Sequence, residues 1–282
     1  MMNKRYFKGL ILWMVLVLTA CGAGESATDH EEAGPSESRT LLTAGEVIRQ
    51  VADTFEEAVS YSVKGETQQE LERTLNGEVS IMKSEMITEA QWIKQPLQYH
   101  LLGEIKTEGM QPMTIEEYFI PGTGRFSSIG ENGWVKLVGE ELDGEITDIQ
   151  MYSQNLEELL DMLERLQGDV LFTQEGNYYT MTFELPEEEL LRIDEMTNAG
   201  LEANESSNAP SLTAAYSVKK MKVGFKANKD SLLPHELSME SETEIGEGEN
   251  LMVQRKIDRS TFFNFNGIDT IELPPEVIEI AR

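Results

Sequence analysis

Apolar residues recur at Val47, Ile48, Val51, Phe55 and Ala58, the spacing of one helix face. Thr43 stands three residues before Glu46, the spacing of a capping box, which predicts a helix starting there. The period then changes from 3.6 to 2. Tyr61, Val63 and Gly65 alternate with Ser62, Lys64 and Glu66, as a half-buried strand requires. Asn76-Gly77 marks a hairpin turn. Further strands are predicted over 78–87, 97–105, 114–120, 124–128 and 134–138, with Gln95-Pro96, Glu108-Gly109, Pro121-Gly122 and Asn132-Gly133 between them.

A second helical stripe, Leu156, Leu159, Leu160, Leu163 and Leu166, lies between Asn155 as N-cap and Gly168 as C-terminal stop. Residues 170–174 and 178–185 read as a hairpin around Glu175-Gly176-Asn177. Pro186 opens a third helix, whose positive N-terminal end carries Glu187, Glu188 and Glu189. Leu190, Ile193 and Met196 are its inward face, and Gly200 its stop. Strands are expected again over 214–227, 236–245, 251–262 and 268–271, and a short helix over 276–281. Strands and helices do not alternate as in βαβ units, which argues against a parallel sheet. The expected fold is α+β: a strongly curved antiparallel sheet, an open half-barrel, with helices packed on its concave face.

The first twenty residues follow a different pattern. Lys4, Arg5 and Lys8 precede a near-continuous apolar run from Gly9 to Leu18, and small residues follow. That is the layout of a secretory signal. The run is about half of the ~20 apolar residues that a membrane-spanning helix needs. Gly22 to Thr40 is rich in Gly, Ala, Ser, Thr and Glu and has no apolar period, so it reads as a flexible tether. Such a coil spans roughly 25 Å root-mean-square. The chain therefore divides into a signal peptide (1–20), Cys21 with an acidic tether (21–42) and a single half-barrel domain (43–282).

Composition narrows the chemistry. The formal net charge is −28, and such a surface repels nucleic acid and anionic headgroups. It is the composition of a very soluble surface, or of one adapted to an alkaline or saline exterior. Cys21 is the single cysteine, so no internal disulfide forms. With only His30, His100 and His235 beside it, a zinc site of several His or Cys ligands is not expected. The acidic run Gly246-Glu247-Gly248-Glu249-Asn250 lacks the ligand spacing of a calcium loop. Ser80-Ile81-Met82-Lys83 and Ser153-Gln154-Asn155 match two motifs of penicillin-recognising enzymes, but Ser80 falls in a strand and no Lys-Thr-Gly follows. No cofactor is implied, and a non-enzymatic role is expected.

Methionine is the more informative residue. Met82, Met86, Met113, Met162, Met181, Met196, Met221 and Met239 fall on apolar stripes, and this flexible side chain suits either an adaptable cavity or irregular core filling. Trp92 and Trp134 are expected to pack at sheet edges.

Leu18-Thr19-Ala20-Cys21 resembles the lipobox of bacterial lipoproteins. The resemblance implies a diacylglyceryl group on the Cys21 thiol and cleavage between Ala20 and Cys21. Trp92-Ile93-Lys94-Gln95-Pro96, Gly133-Trp134-Val135-Lys136, Gly176-Asn177-Tyr178-Tyr179 and Ile271-Glu272-Leu273-Pro274-Pro275-Glu276-Val277, taken with the strand order, resemble the LolA and LppX-like half-barrel lipoproteins and allied Gram-positive lipoproteins. What this resemblance implies is a lipid-anchored protein on the outer face of a cell membrane, with an apolar ligand such as a lipid held between sheet and helices. Leu160, Met162, Leu163 and Met196 are the candidate ligand-binding residues on the helix side. A lipoprotein with a filled core that binds an envelope protein is the alternative, and an envelope hydrolase a third.

Overall fold

The computed structural model describes residues 42–75, 78–137, 170–203, 216–246 and 251–281, together with the helical positions Leu156, Leu160, Met162, Leu163 and Arg165. Helix α1 (Ala44–Glu57) starts as its sequence predicts: the Thr43 hydroxyl accepts from the Glu46 N–H, and the Glu46 carboxylate accepts from the Thr43 N–H. It buries Val47, Ile48, Val51 and Phe55.

Six strands follow: β1 (Ser60–Leu75), β2 (Glu78–Ile93), β3 (Gln98–Thr107), β4 (Met113–Ile120), β5 (Gly124–Ile129) and β6 (Trp134–Leu137). After the helical positions come β7 (Leu171–Glu175), β8 (Tyr178–Glu184), helix α2 (Glu187–Ala203), β9 (Tyr216–Asn228), β10 (Pro234–Ile245), β11 (Met252–Phe263) and helix α3 (Pro275–Ala281). All eleven strands form one antiparallel sheet in the order β6-β5-β4-β3-β2-β1-β11-β10-β9-β8-β7. The chain thus runs two meanders outward from a central β1–β11 pair. The sheet is open, with β6 and β7 as its edges. The expected α+β half-barrel is the observed fold.

One face of this sheet, here the inner face, carries the main core. Tyr61, Val63, Trp92, Tyr99, Phe225 and Phe262 meet α1 and the helical leucines Leu156, Leu160 and Leu163 there. Burying a side chain of this size contributes about 1.5–3 kcal/mol. Helix α2 is fixed to β9 by Asp194, whose carboxylate accepts from the Val218 N–H at 2.6 Å and the Ser217 hydroxyl at 3.2 Å. The acceptor lies beside the bulge where β10 and β9 shift register between Glu242 and Thr243.

Three expectations need correction. The strand of 268–271 does not form. Its would-be neighbour β1 is already paired on both sides, by β2 and β11. Instead the Asn266 N–H donates to the Ser60 carbonyl, and the Ile268 N–H to the Ser60 hydroxyl. Asn264 and Asn266 take left-handed backbone (φ 53° and 57°) to make that path, as asparagine does more readily than most residues. Ile271 then joins Ile93 and Tyr118 in a small second core, with Trp134 packed against it. Secondly, Trp92 is not at a sheet edge. It sits on an interior strand with 1 % of its surface exposed, whereas Trp134 does lie on the edge strand β6. Thirdly, β1 and β2 are much longer than their apolar alternation predicts, sixteen residues each.

Candidate ligand-binding trough

Ladder register assigns every strand residue to a face. Across β1 to β4 the row Tyr61–Trp92–Tyr99–Phe119 lies on the inner face. The Tyr61 and Trp92 rings stack at 6.5 Å, and the Trp92 and Tyr99 rings meet at 4.8 Å. Trp92 Nε1 is buried with no hydrogen-bond partner among the described residues, an arrangement that costs about 1–3 kcal/mol. Arg125 ends this row and forms a buried bidentate pair, at 2.8 and 2.9 Å, with Glu117 of the neighbouring inner row. The Tyr99 hydroxyl donates to the same carboxylate. Burial, and then the Glu117 charge, push the Tyr99 phenol far above its ordinary range. The phenol therefore stays a donor.

Further along the strands the inner face changes character. Four small residues, Ser260, Gly65, Thr88 and Gly103, stand side by side on β11, β1, β2 and β3. Leu237 flanks them on one side and Ile115 on the other. Strand-interior glycine marks a place where another group approaches the backbone closely. At Gly103 a Cβ would meet Thr88 Cγ2 at 3.4 Å, an ordinary contact.

The next inner row holds Met239, Asp258, Thr67 and Met86 in order, and the one beyond it Ser241, Lys256, Gln69 and Ser84. Asp258 is 6 % exposed. It accepts from the Thr67 hydroxyl at 2.6 Å and pairs with Lys256 at 3.2 Å. Met86, Met221 and Met239 are half-buried here, and Met82 and Met113 are exposed. Every methionine on a described strand faces inward by register: Met82, Met86, Met113, Met181, Met221, Met239 and Met252. Exposed Val79, Ile81, Ile87, Leu102 and Ile257 face the other way.

The outer face at this level is ionic. Arg255 reaches Glu70, Glu72 and Glu242 at 3.0–3.3 Å, and Lys83 reaches Glu70 at 3.1 Å. A cavity of about 450 Å³ there is lined chiefly by outer-face residues, Glu70, Lys83, Glu242 and Arg255 among them.

The candidates on the helix side are placed as follows. Leu160 and Leu163 are buried in the main core and Met162 packs against it, half-buried. Met196 lies in α2, and its side chain is outside the described residues, as are Ala20 and Cys21. Ser80 and Lys83, three apart on β2, project to opposite faces and do not meet. Ser153 and Asn155 are outside the described residues. Among the described residues no helix is long and apolar enough to cross a membrane, and no three His, Cys, Asp or Glu side chains are grouped to hold a metal. Sequence reasoning singled out the strand methionines but missed the polar side chains beside them. The signal was there in β11, where Lys256 and Asp258 occupy the inward positions of an alternating strand.

Fold and face together define an open antiparallel half-barrel whose strand methionines lie on the inner face. By sequence the chain belongs to a family of unknown function, DUF6612, whose model matches residues 43–282. No curated protein matches it. Among solved structures it is similar to a DUF1329 family protein from Desulfovibrio piger (10 % identity, 81 % of this chain and 93 % of that one, TM-score 0.24). It is similar also to a β-barrel-like DUF1849 protein from Brucella abortus (7 %, 73 % and 99 %, TM-score 0.27) and to a LolA superfamily protein from Nitrosomonas europaea (11 %, 84 % and 97 %, TM-score 0.18).

Proposed function

We propose that this protein is a non-enzymatic carrier or sensor that holds an apolar ligand, a lipid or lipidated molecule, in the inner trough. In this reading a lipid on Cys21 tethers it to the outer face of a cell membrane. One observation carries the ligand reading: the strand methionines all face inward, while branched apolar residues occur on both faces. Hydrophobicity alone does not sort side chains that way. Methionine is unbranched and polarizable and moulds to a chain of variable shape, and each CH₂ placed against it gains about 0.8 kcal/mol.

The test is titration of a fluorescent fatty-acid analogue into residues 43–282 at micromolar concentration, with native mass spectrometry of the purified protein. Saturable binding, or a co-purifying lipid, is expected. A ligand-free protein without saturable binding would sink the reading. It would favour the second one, an envelope interaction module, for which exposed Val79, Ile81 and Ile87 on the outer face of β2 supply apolar surface. The tether is tested separately: Cys21→Ser should abolish labelling by radioactive fatty acid in cells, and equal label in both proteins would refute the lipid anchor.

A further inference from the structure

We infer that the ligand is an acyl amphiphile with an anionic head group, and that Lys256 receives the head. This rests on the apolar-ligand reading above and goes beyond it. The first observation is segregation of charge. The chain carries −28. Yet the ionic side chains on the inner face of the described strands balance, three cations, Arg73, Arg125 and Lys256, against three anions, Glu78, Glu117 and Asp258. The strands' other acids, among them Glu66, Glu89, Glu104 and Glu240, face outward. Over the described strands, the inner face of an acidic protein is thus without net charge and repels an anion less than the surface around it.

The second observation is placement. Ser84, Gln69, Lys256 and Ser241 stand side by side on four neighbouring strands, all half-buried, and all can donate hydrogen bonds. The adjoining row holds Met239 and Met86 at its ends with the hydrogen-bonded Asp258 and Thr67 between them, and the row after it the small residues Thr88, Gly65 and Ser260. Donors thus lie beside methionines, and methionines beside a floor of small side chains. A chain lying on the second and third rows brings its head to the first. Lys256 spends one of its three N–H bonds on Asp258. Asp258, held also by Thr67, fixes the ammonium in place and leaves the other donors for the ligand. Partial burial lowers the local dielectric, so the charge recognises an anion better than a surface lysine does.

The experiment compares two probes on the full chain, a fluorescent fatty acid with a free carboxylate and its methyl ester, at low salt. The acid should bind at least tenfold more tightly. Lys256→Gln should bring the acid down to the affinity of the ester and leave the ester unchanged, and Lys256→Arg should restore the preference. Asp258→Asn, which keeps a polar partner for Thr67, should tighten acid binding severalfold by releasing the ammonium. Displacement of the acid probe by palmitate or by lysophosphatidylglycerol assigns the head as carboxylate or phosphate; displacement by neither overturns the inference. Equal binding of acid and ester by the wild type, or an unchanged preference in Lys256→Gln, overturns the head-group assignment and leaves the apolar-ligand reading standing. Binding of neither probe overturns both.

Discussion

The two ends of the inner face are built by opposite rules. Near the start of β1, large rigid side chains interlock: Tyr61, Trp92 and Phe262 are at most 2 % exposed, under α1 and the helical leucines. Toward the other end of the same strands the inward positions hold methionine, serine, glutamine and lysine, half-buried or exposed. The backbone ladder is continuous between them, since β1 pairs with β2 over its whole length. On the reading proposed above, stability and recognition are separated along one set of strands. Interlocked aromatics specify a unique packing, whereas flexible side chains can adapt to a guest. Four small residues mark the border.

The contrast is sharpest in the response to truncation. Trp92→Ala should destabilise the fold by about 3–5 kcal/mol, measured by chemical denaturation. Met239→Ala, at the other end, should stay near 1 kcal/mol but weaken probe binding severalfold. Equal stability losses would erase the distinction. Glu117→Ala should also cost about 3–5 kcal/mol, because it strands the Arg125 guanidinium in a buried site. Probe binding should be unaffected if that pair serves the packed end alone. Leu163→Ala should lose about 2–5 kcal/mol and keep or strengthen probe binding, while Leu163→Trp should weaken it. Strong loss of binding in Leu163→Ala would move the site toward the helices.

The smallest effect belongs to the cap of α1. Thr43→Ala should cost about 0.5–2 kcal/mol. The Glu46 carboxyl is held below the usual carboxylate range by its hydrogen bond from the Thr43 backbone and then by the Thr43 hydroxyl. A depressed folded-state value contributes stability above the unfolded value, and that contribution is lost as pH falls through the folded one. The stability that Thr43→Ala loses should therefore shrink as a denaturation series is carried into acid, down to the pH-independent part from the hydroxyl accepting the Glu46 N–H. A loss that does not change with pH would show that the Thr43 hydroxyl does not act on the Glu46 charge.

Short-range signals were legible in the chain. Thr43 and Glu46, the helical leucines, the glycine turns and most strand positions follow from periods of 3.6 and 2, because each reports local geometry. The second half of β1 did not announce itself. Thr67-Gln68-Gln69-Glu70-Leu71-Glu72-Arg73 has no apolar alternation, and only ladders to β2 and β11 on both sides hold it extended. Nor was the trough's sheet side legible. Met86, Met239, Asp258 and Lys256 are scattered over some 170 positions, and pairing alone brings them into adjoining rows. Sequence by itself determined where most of the strands and helices lie and that the surface is strongly acidic. Tertiary structure alone decided which way each strand's two faces turn relative to the others, since register couples residues that share no local interaction. It thereby sorted the methionines inward, and placed Lys256 and Asp258 beside them.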